Sequence, residues 1–147
     1  MMYLRYAWAV MRHKCFVLYA GLRIGAPIGR LITHDMSKFG RAEFGPYARK
    51  FYSGWRGDNS SGYVTPPEWW DAFHHHVRVN DHHWEHWHGE DMSEGAILEM
   101  VADWFGAGRA YDGKWQAREW YKDHQAVLRL SPITRLEVER VLQEARI

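Results

Sequence analysis

Ten histidines occur in the 147 residues, and seven of them fall between His74 and His88, a 15-residue window where even scatter would place about one. His75 and His76 are adjacent, and His82 and His83 follow across the turn formers Asn80 and Asp81. Imidazole is the commonest metal ligand, and several neutral rings gathered in a core have little else to hold them together, so the cluster points to metal binding. His86 and His88, among Trp84 and Trp87, read instead as aromatic packing with exposed nitrogens, and His74 and His124 carry no functional signal.

A second motif, THDMSK, places His34 beside Asp35 directly after the apolar Leu31 and Ile32. Neighbours on a helix point about 100° apart, so both reach one centre only if it lies between their directions, as a metal ion could. Lys38, three residues past Asp35 and four past His34, shares their face and is placed to offset an anion there. Asp103 sits in the apolar run around Val101, Ala102, Trp104 and Phe105, where a carboxylate needs a cation: either a metal or an arginine such as Arg109. Glu99, one turn earlier, is either an acceptor orienting a ligating histidine or an exposed charge.

The elements that must position these groups are helical throughout. Leu4, Trp8, Met11, Cys15, Leu18 and Leu22 recur at spacings of three and four, which predicts a helix from Tyr3 to about Arg23 with that stripe inward; His13 lies between Val10 and Val17 on a neighbouring face. Pro27 opens a second helix expected to run through Leu31 and Ile32 to about Lys38, ended by Gly40. Glu43 to Tyr52 forms a short helix with Phe44, Tyr47, Ala48 and Phe51 on one side, and Ser53 to Thr65 is a Gly/Ser/Asn-rich loop long enough to cover a site. Thr65 then caps a helix opened by Pro66 and Pro67 and reaching about Val77, followed by a short piece from His82 to His88. Ser93 caps the most apolar helix, to about Ala110, and helices from Trp115 to Leu128 and, capped by Ser131 with Pro132 at its first position, from Pro132 to Arg146 follow. With no strand and no repeat, the expected fold is all-α: one compact helical bundle over residues 1–147.

Composition sets outer limits. A chain that is 46% hydrophobic and 25% charged can bury a core without staples, so any metal is free for chemistry. One cysteine excludes an internal disulfide, no stretch approaches the ~20 apolar residues that cross a bilayer, and Arg5, Arg12, His13 and Lys14 interrupt any signal-peptide core. A reducing cytoplasm is the expected compartment. Nineteen Lys and Arg against 18 Asp and Glu leave no basic footprint for duplex nucleic acid, which favours a small ligand. Trp69, Trp70 or Trp84 could wall a pocket for a base, which makes a nucleotide a natural substrate.

His13, then THDMSK, then His75 or His76, then His82 with His83, then EMVADWFGA with Asp103, resembles the HD superfamily of metal-dependent phosphohydrolases. That resemblance implies an HD-like bundle in which His13, His34, Asp35 and Asp103 form the basic metal site, while one of His75 and His76 and one of His82 and His83 serve a second ion. Two ions about 3.5–4 Å apart would activate a water for attack on phosphorus. Lys38 would bind a phosphate oxygen, with Arg78 or Arg109 on a further phosphate. Mixed imidazole and carboxylate ligands suit Fe, Mn, Co, Ni or Zn better than Mg. The expected function is hydrolysis of a nucleotide or similar phosphoester. Two alternatives remain open: an HD-fold diiron oxygenase, and a non-catalytic binding module stabilised by its metal. The whole chain is also similar to a small phage and bacterial family carrying HDxSKF, HH…NxHHW and EMVADWxGAGRA, which implies no particular activity.

Overall fold

The computed structural model describes residues 1–52 and 67–147; the expected loop from Ser53 to Thr65 and the cap at Thr65 lie outside them. The described residues are helical and contain no strand, as expected. They form α1 (Met2–Ile24), α2 (Ile28–Thr33), α3 (Phe44–Tyr52), α4 (Pro67–Val79), α5 (Glu94–Ala107), α6 (Ala117–His124) and α7 (Pro132–Glu144). Short 3-10 turns cover Met36–Phe39 and Trp84–Trp87, and a π-helical turn covers Gly108–Asp112. None of the described helices is long and apolar enough to cross a membrane.

Contacts gather the chain into two compact units. The smaller combines Met1–Met11 with Asp35–Asn80. Its core is aromatic: Tyr6, Val10, Tyr47, Ala48 and Ala72 are buried, and Phe44 lies against Tyr6 at 5.2 Å between ring centres. Pro46 is tolerated in α3 because it stands in the first turn, where no backbone N–H would be bonded within the helix.

The larger unit combines Arg12–His34 with Asp81–Ile147. Its spine is α5, buried from Ala96 to Ala102 and again at Phe105 and Gly106 because its sequence is apolar on nearly every face. The Ser93 hydroxyl caps α5 by accepting from the Ala96 N–H, and Ser131 does the same for α7 through the Thr134 N–H, with Pro132 in the first turn.

Two expectations need correction. The stripe assigned to the interior of α1 faces outward: Leu4 is 76% exposed and Trp8 70%, while Tyr6, Val10, His13, Val17 and Ala20 are buried. Residue size decides the matter. Ala20 and Gly21 allow close approach, and a Cβ on Gly21 would stand 2.3 Å from Leu31 Cδ2. The second helix also stops at Thr33, short of Lys38: His34 adopts φ −46° and ψ 127°, and Asp35 is left-handed at φ 56°. Asp, with Asn, is the non-glycine residue that most readily accepts that conformation. His34 and Asp35 therefore sit at a sharp bend, and their directions are set by the bend and not by a 100° helical step.

At Gly106 α5 packs closely on α1, since a Cβ there would lie 2.5 Å from Val17 Cγ2 and 2.8 Å from the Val17 backbone nitrogen. Gly106→Ala is thus expected to destabilise by about 1–3 kcal/mol despite a gain of about 1 kcal/mol in helix propensity. Urea unfolding measures this; a midpoint at or above that of the wild type would contradict the packing.

Candidate metal centre

Three helical elements of the larger unit bring His13, His34 and Asp103 to one point. His13 comes from the buried face of α1, Asp103 from α5, and His34 from the residue that ends α2. The end of α2 leaves carbonyls without helical partners, and the Lys14 ammonium, one residue after His13, donates to the carbonyls of Ile32 (3.2 Å) and His34. A cation at this C-terminus both satisfies the carbonyls and fixes where His34 departs from the helix.

His13 Nε2 lies 2.9 Å from Asp103 Oδ1 and 3.3 Å from His34 Nε2, and His34 Nε2 lies 3.6 Å from Asp103 Oδ1. Ligands bound at about 2.0–2.2 Å to a tetrahedral or octahedral ion stand about 2.8–3.6 Å from one another, so the three atoms are spaced as a ligand set would be. Two imidazole nitrogens facing each other beside a carboxylate gain little in a neutral core without a shared proton or cation. His13 and His34 are 3% and 1% exposed, whereas the Asp103 side chain, expected to be buried, keeps 20% of its surface. Burial alone would raise the Asp103 carboxyl; hydrogen bonds and charge from His13 and His34 outweigh it and hold the group well below the usual range. The Tyr111 ring, carried by the π turn after α5, stacks on His13 at 6.0 Å.

The other side of His34 is equally defined. Its Nδ1 lies 2.9 Å from Glu99 Oε1, which also receives His82 Nδ1 at 3.1 Å. With Nδ1–H donating to Glu99, neutral His34 presents the Nε2 lone pair to His13 and Asp103. Glu99, one turn before Asp103, is thus a buried acceptor, the first of its two expected readings. Burial raises its pKa, but hydrogen bonds and charge from His34 and His82 bring it down to about 2. His82 is buried and His83 half-buried, their rings 4.4 Å apart.

In the smaller unit the bend places Asp35 among its own partners. Lys38 Nζ donates to Asp35 Oδ2 at 2.6 Å, and His76 Nε2 is 3.2 Å from Asp35 Oδ1. His76 Nδ1 in turn meets Glu43 Oε2 at 2.8 Å, while His75 Nδ1 meets Glu43 Oε1 at 2.8 Å. Ser37 donates to Glu43 Oε2 at 3.1 Å, and Asn80 donates to Ser37 Oγ at 2.8 Å. Burial would raise the Glu43 carboxyl, but His76, His75 and Ser37 lower it; burial would lower the His76 imidazole, but Asp35 and Glu43 raise it. Of the adjacent pair, His76 is the buried residue facing Asp35, and His75 is the outer one.

The buried clusters of His, Asp and Glu have the donor types and spacing to hold a metal ion: His13, His34 and Asp103 form one such group, and His34, His82 and Glu99 another. The two candidate phosphate arginines have other surroundings on their own elements. Arg78 is exposed on α4, and the Arg109 guanidinium donates to the Gly113 carbonyl and lies over Phe16 and Trp115. Trp69 stacks on Phe73 and Trp84 packs against the larger core, so both serve packing. Sequence reasoning missed Glu43, Lys14 and Arg30. An unpaired histidine doublet asks for an acceptor, but nothing in local spacing says which carboxylate supplies it.

Because the folded value of Glu99 lies below its ordinary value of 4.5, its contribution to stability is present in full above 4.5 and fades as pH falls toward about 2. The melting-temperature gap between wild type and Glu99→Gln is therefore expected to be widest near neutrality and to narrow across that acid range. A gap independent of pH would contradict the assignment of Glu99 as a charged acceptor.

No curated protein and no solved structure matches the chain. Residues 2–144 match the model of a family of unknown function, DUF5662, and the chain belongs to that family.

Proposed function

We propose that this protein is a metal-dependent phosphohydrolase acting on a nucleotide or similar small phosphoester. The observation that carries the reading is the convergence of His13 Nε2, His34 Nε2 and Asp103 Oδ1 within 3.6 Å of one another. Two imidazoles and one carboxylate suit a divalent transition ion such as Fe, Mn, Co, Ni or Zn. An ion of that kind supplies Lewis acidity, which makes water a nucleophile near neutral pH and polarises a phosphoryl oxygen. Asp35 and His76, 3.2 Å apart in the smaller unit, are also donors of the type such an ion takes.

The chain's own groups account for the remaining chemistry. His34 is held by Glu99 in the tautomer that leaves Nε2 as an acceptor. Asp103 keeps its negative charge across the physiological range because its imidazole neighbours favour the ionised form. Lys38 is the proposed phosphate-binding cation: its part-exposed ammonium is held 2.6 Å from Asp35 Oδ2, and an ammonium is a compact point charge suited to a phosphoryl oxygen. The resemblance of HDMSK and EMVADWFGA to HD-superfamily motifs supports the same roles.

The test is metal analysis of protein purified without a histidine tag, then a screen of nucleoside mono-, di- and triphosphates with Mn, Co and Fe. Bound transition metal and turnover of at least one phosphoester are expected. Asp103→Asn should lower metal content, and Asp35→Ala should abolish turnover in a folded protein. Lys38→Ala is expected to reduce kcat by about 100-fold with metal content retained. If chelation lowers Tm while no phosphoester is hydrolysed at any metal loading, the protein is a metal-stabilised binding module and the enzyme reading fails.

A further inference from the structure

Glu99 offers two different services to a cation site. Grouped with His34 and His82 it has the donor set to take an ion itself; alternatively it only orients the two imidazoles. The side chain on its other oxygen decides between them. Arg30 Nε donates to Glu99 Oε2 at 2.8 Å, and the two terminal nitrogens of the same guanidinium face the Asp81 carboxylate, Nη1 at 3.4 Å and Nη2 closer. Asp81 is itself anchored, because its carbonyl accepts the Trp87 indole N–H at 2.6 Å. Gly95 on α5 makes room for the arrangement: a Cβ there would press on Arg30 Cδ at 3.2 Å.

We propose that Arg30 is a positioning residue of the metal centre: clamped by Asp81, it locks Glu99 as a hydrogen-bond acceptor for His34 and His82 and keeps a cation off Glu99 itself. The inference rests on the metal-binding reading above and adds a division of labour within it. A guanidinium always carries its charge and grips with a rigid fork, so it can hold two carboxylates in fixed relative positions. A positive charge 2.8 Å from Oε2 opposes a second positive charge on the same carboxylate. With Oε2 committed to Arg30, Oε1 is left to accept from both Nδ1–H groups, at 2.9 and 3.1 Å. The imidazole planes are then fixed, and His34 directs Nε2 at His13 and Asp103. Partners of this kind change metal affinity without touching the ion.

The experiment is a Co2+ titration of the full-length chain after chelator treatment, read by calorimetry for Kd and stoichiometry and by visible absorption for ligand geometry. Arg30→Ala is expected to weaken Co2+ binding about 10–100-fold at unchanged stoichiometry, and Glu99→Gln to do the same. The double variant should be no weaker than the worse single one, because both substitutions break one linkage. Arg30→Lys, which keeps charge but loses the fork, should fall between, and Asp81→Asn, which keeps the Arg30 side chain but weakens its clamp, should also weaken Co2+ binding and covers the case in which the alanine variant does not fold. Wild-type binding with Kd unchanged in these variants overturns the proposal while leaving the metal reading intact. So does the loss of one equivalent of Co2+ on Glu99→Gln, which would make Glu99 a ligand. Failure of the wild type to bind Co2+ or any other transition ion sinks the metal reading and this inference with it.

Discussion

His34 is 1% exposed and uses both of its ring nitrogens, Nδ1 toward Glu99 and Nε2 toward His13 and Asp103. A buried imidazole must place a proton on one nitrogen and a lone pair or a second proton on the other, so whatever fixes one side determines the chemistry of the other. Glu99, ionised and held in place, makes that choice. The exit of the chain from α2, tied by Lys14 to the last carbonyls, puts the ring where the choice matters. The larger core of α5, α6 and α7 serves this arrangement by burying Glu99 and holding Asp103 one turn further along the same helix.

The same solution occurs once in each unit. Glu99 receives Nδ1 of His34 and His82, and Glu43 receives Nδ1 of His75 and His76. In both cases a carboxylate that burial would neutralise is kept ionised by two imidazoles, and each Nδ1 gains an acceptor. Part of the histidine-rich stretch is thus bound to carboxylates through Nδ1, His75 and His76 to Glu43 and His82 to Glu99, and the proposed metal site would use Nε2 atoms.

The all-α class and most helix positions could be read from residue type and periodicity, whereas the grouping of His13 and His34 with Asp103 came only from the resemblance to the HD superfamily, which placed Asp35 in the same set. Ser93 and Ser131 were legible as caps because capping depends on local sequence alone. The face of α1 was not. Leu4, Trp8, Met11 and Leu22 have the larger apolar area, but close packing selected the small-residue side, and only the neighbours reveal which criterion wins. The end of α2 was misread for a related reason: nothing in RLITHD breaks a helix, and the left-handed Asp35 is stabilised by contacts with Lys38 and His76 that are remote from helix propensity. Glu43 and Arg30 were invisible because their partners lie 32 and 69 residues away.

The distribution of exposure around the triad carries a directional consequence. His13 and His34 are closed off from solvent, Asp103 is one-fifth exposed, and Tyr111, stacked on His13, is 61% exposed. Within the larger unit, the solvent-exposed edge of the triad is therefore the side formed by the Asp103 carboxylate and the Tyr111 ring. The Asp103 carboxylate makes that edge anionic, so under the proposed function a phosphoester would be repelled until a cation had offset Asp103. On that proposal, charge order alone would place metal before substrate. The π turn at Gly108–Asp112, which carries Tyr111 out of the regular α5 path, places an aromatic face on His13 beside the partly exposed Asp103.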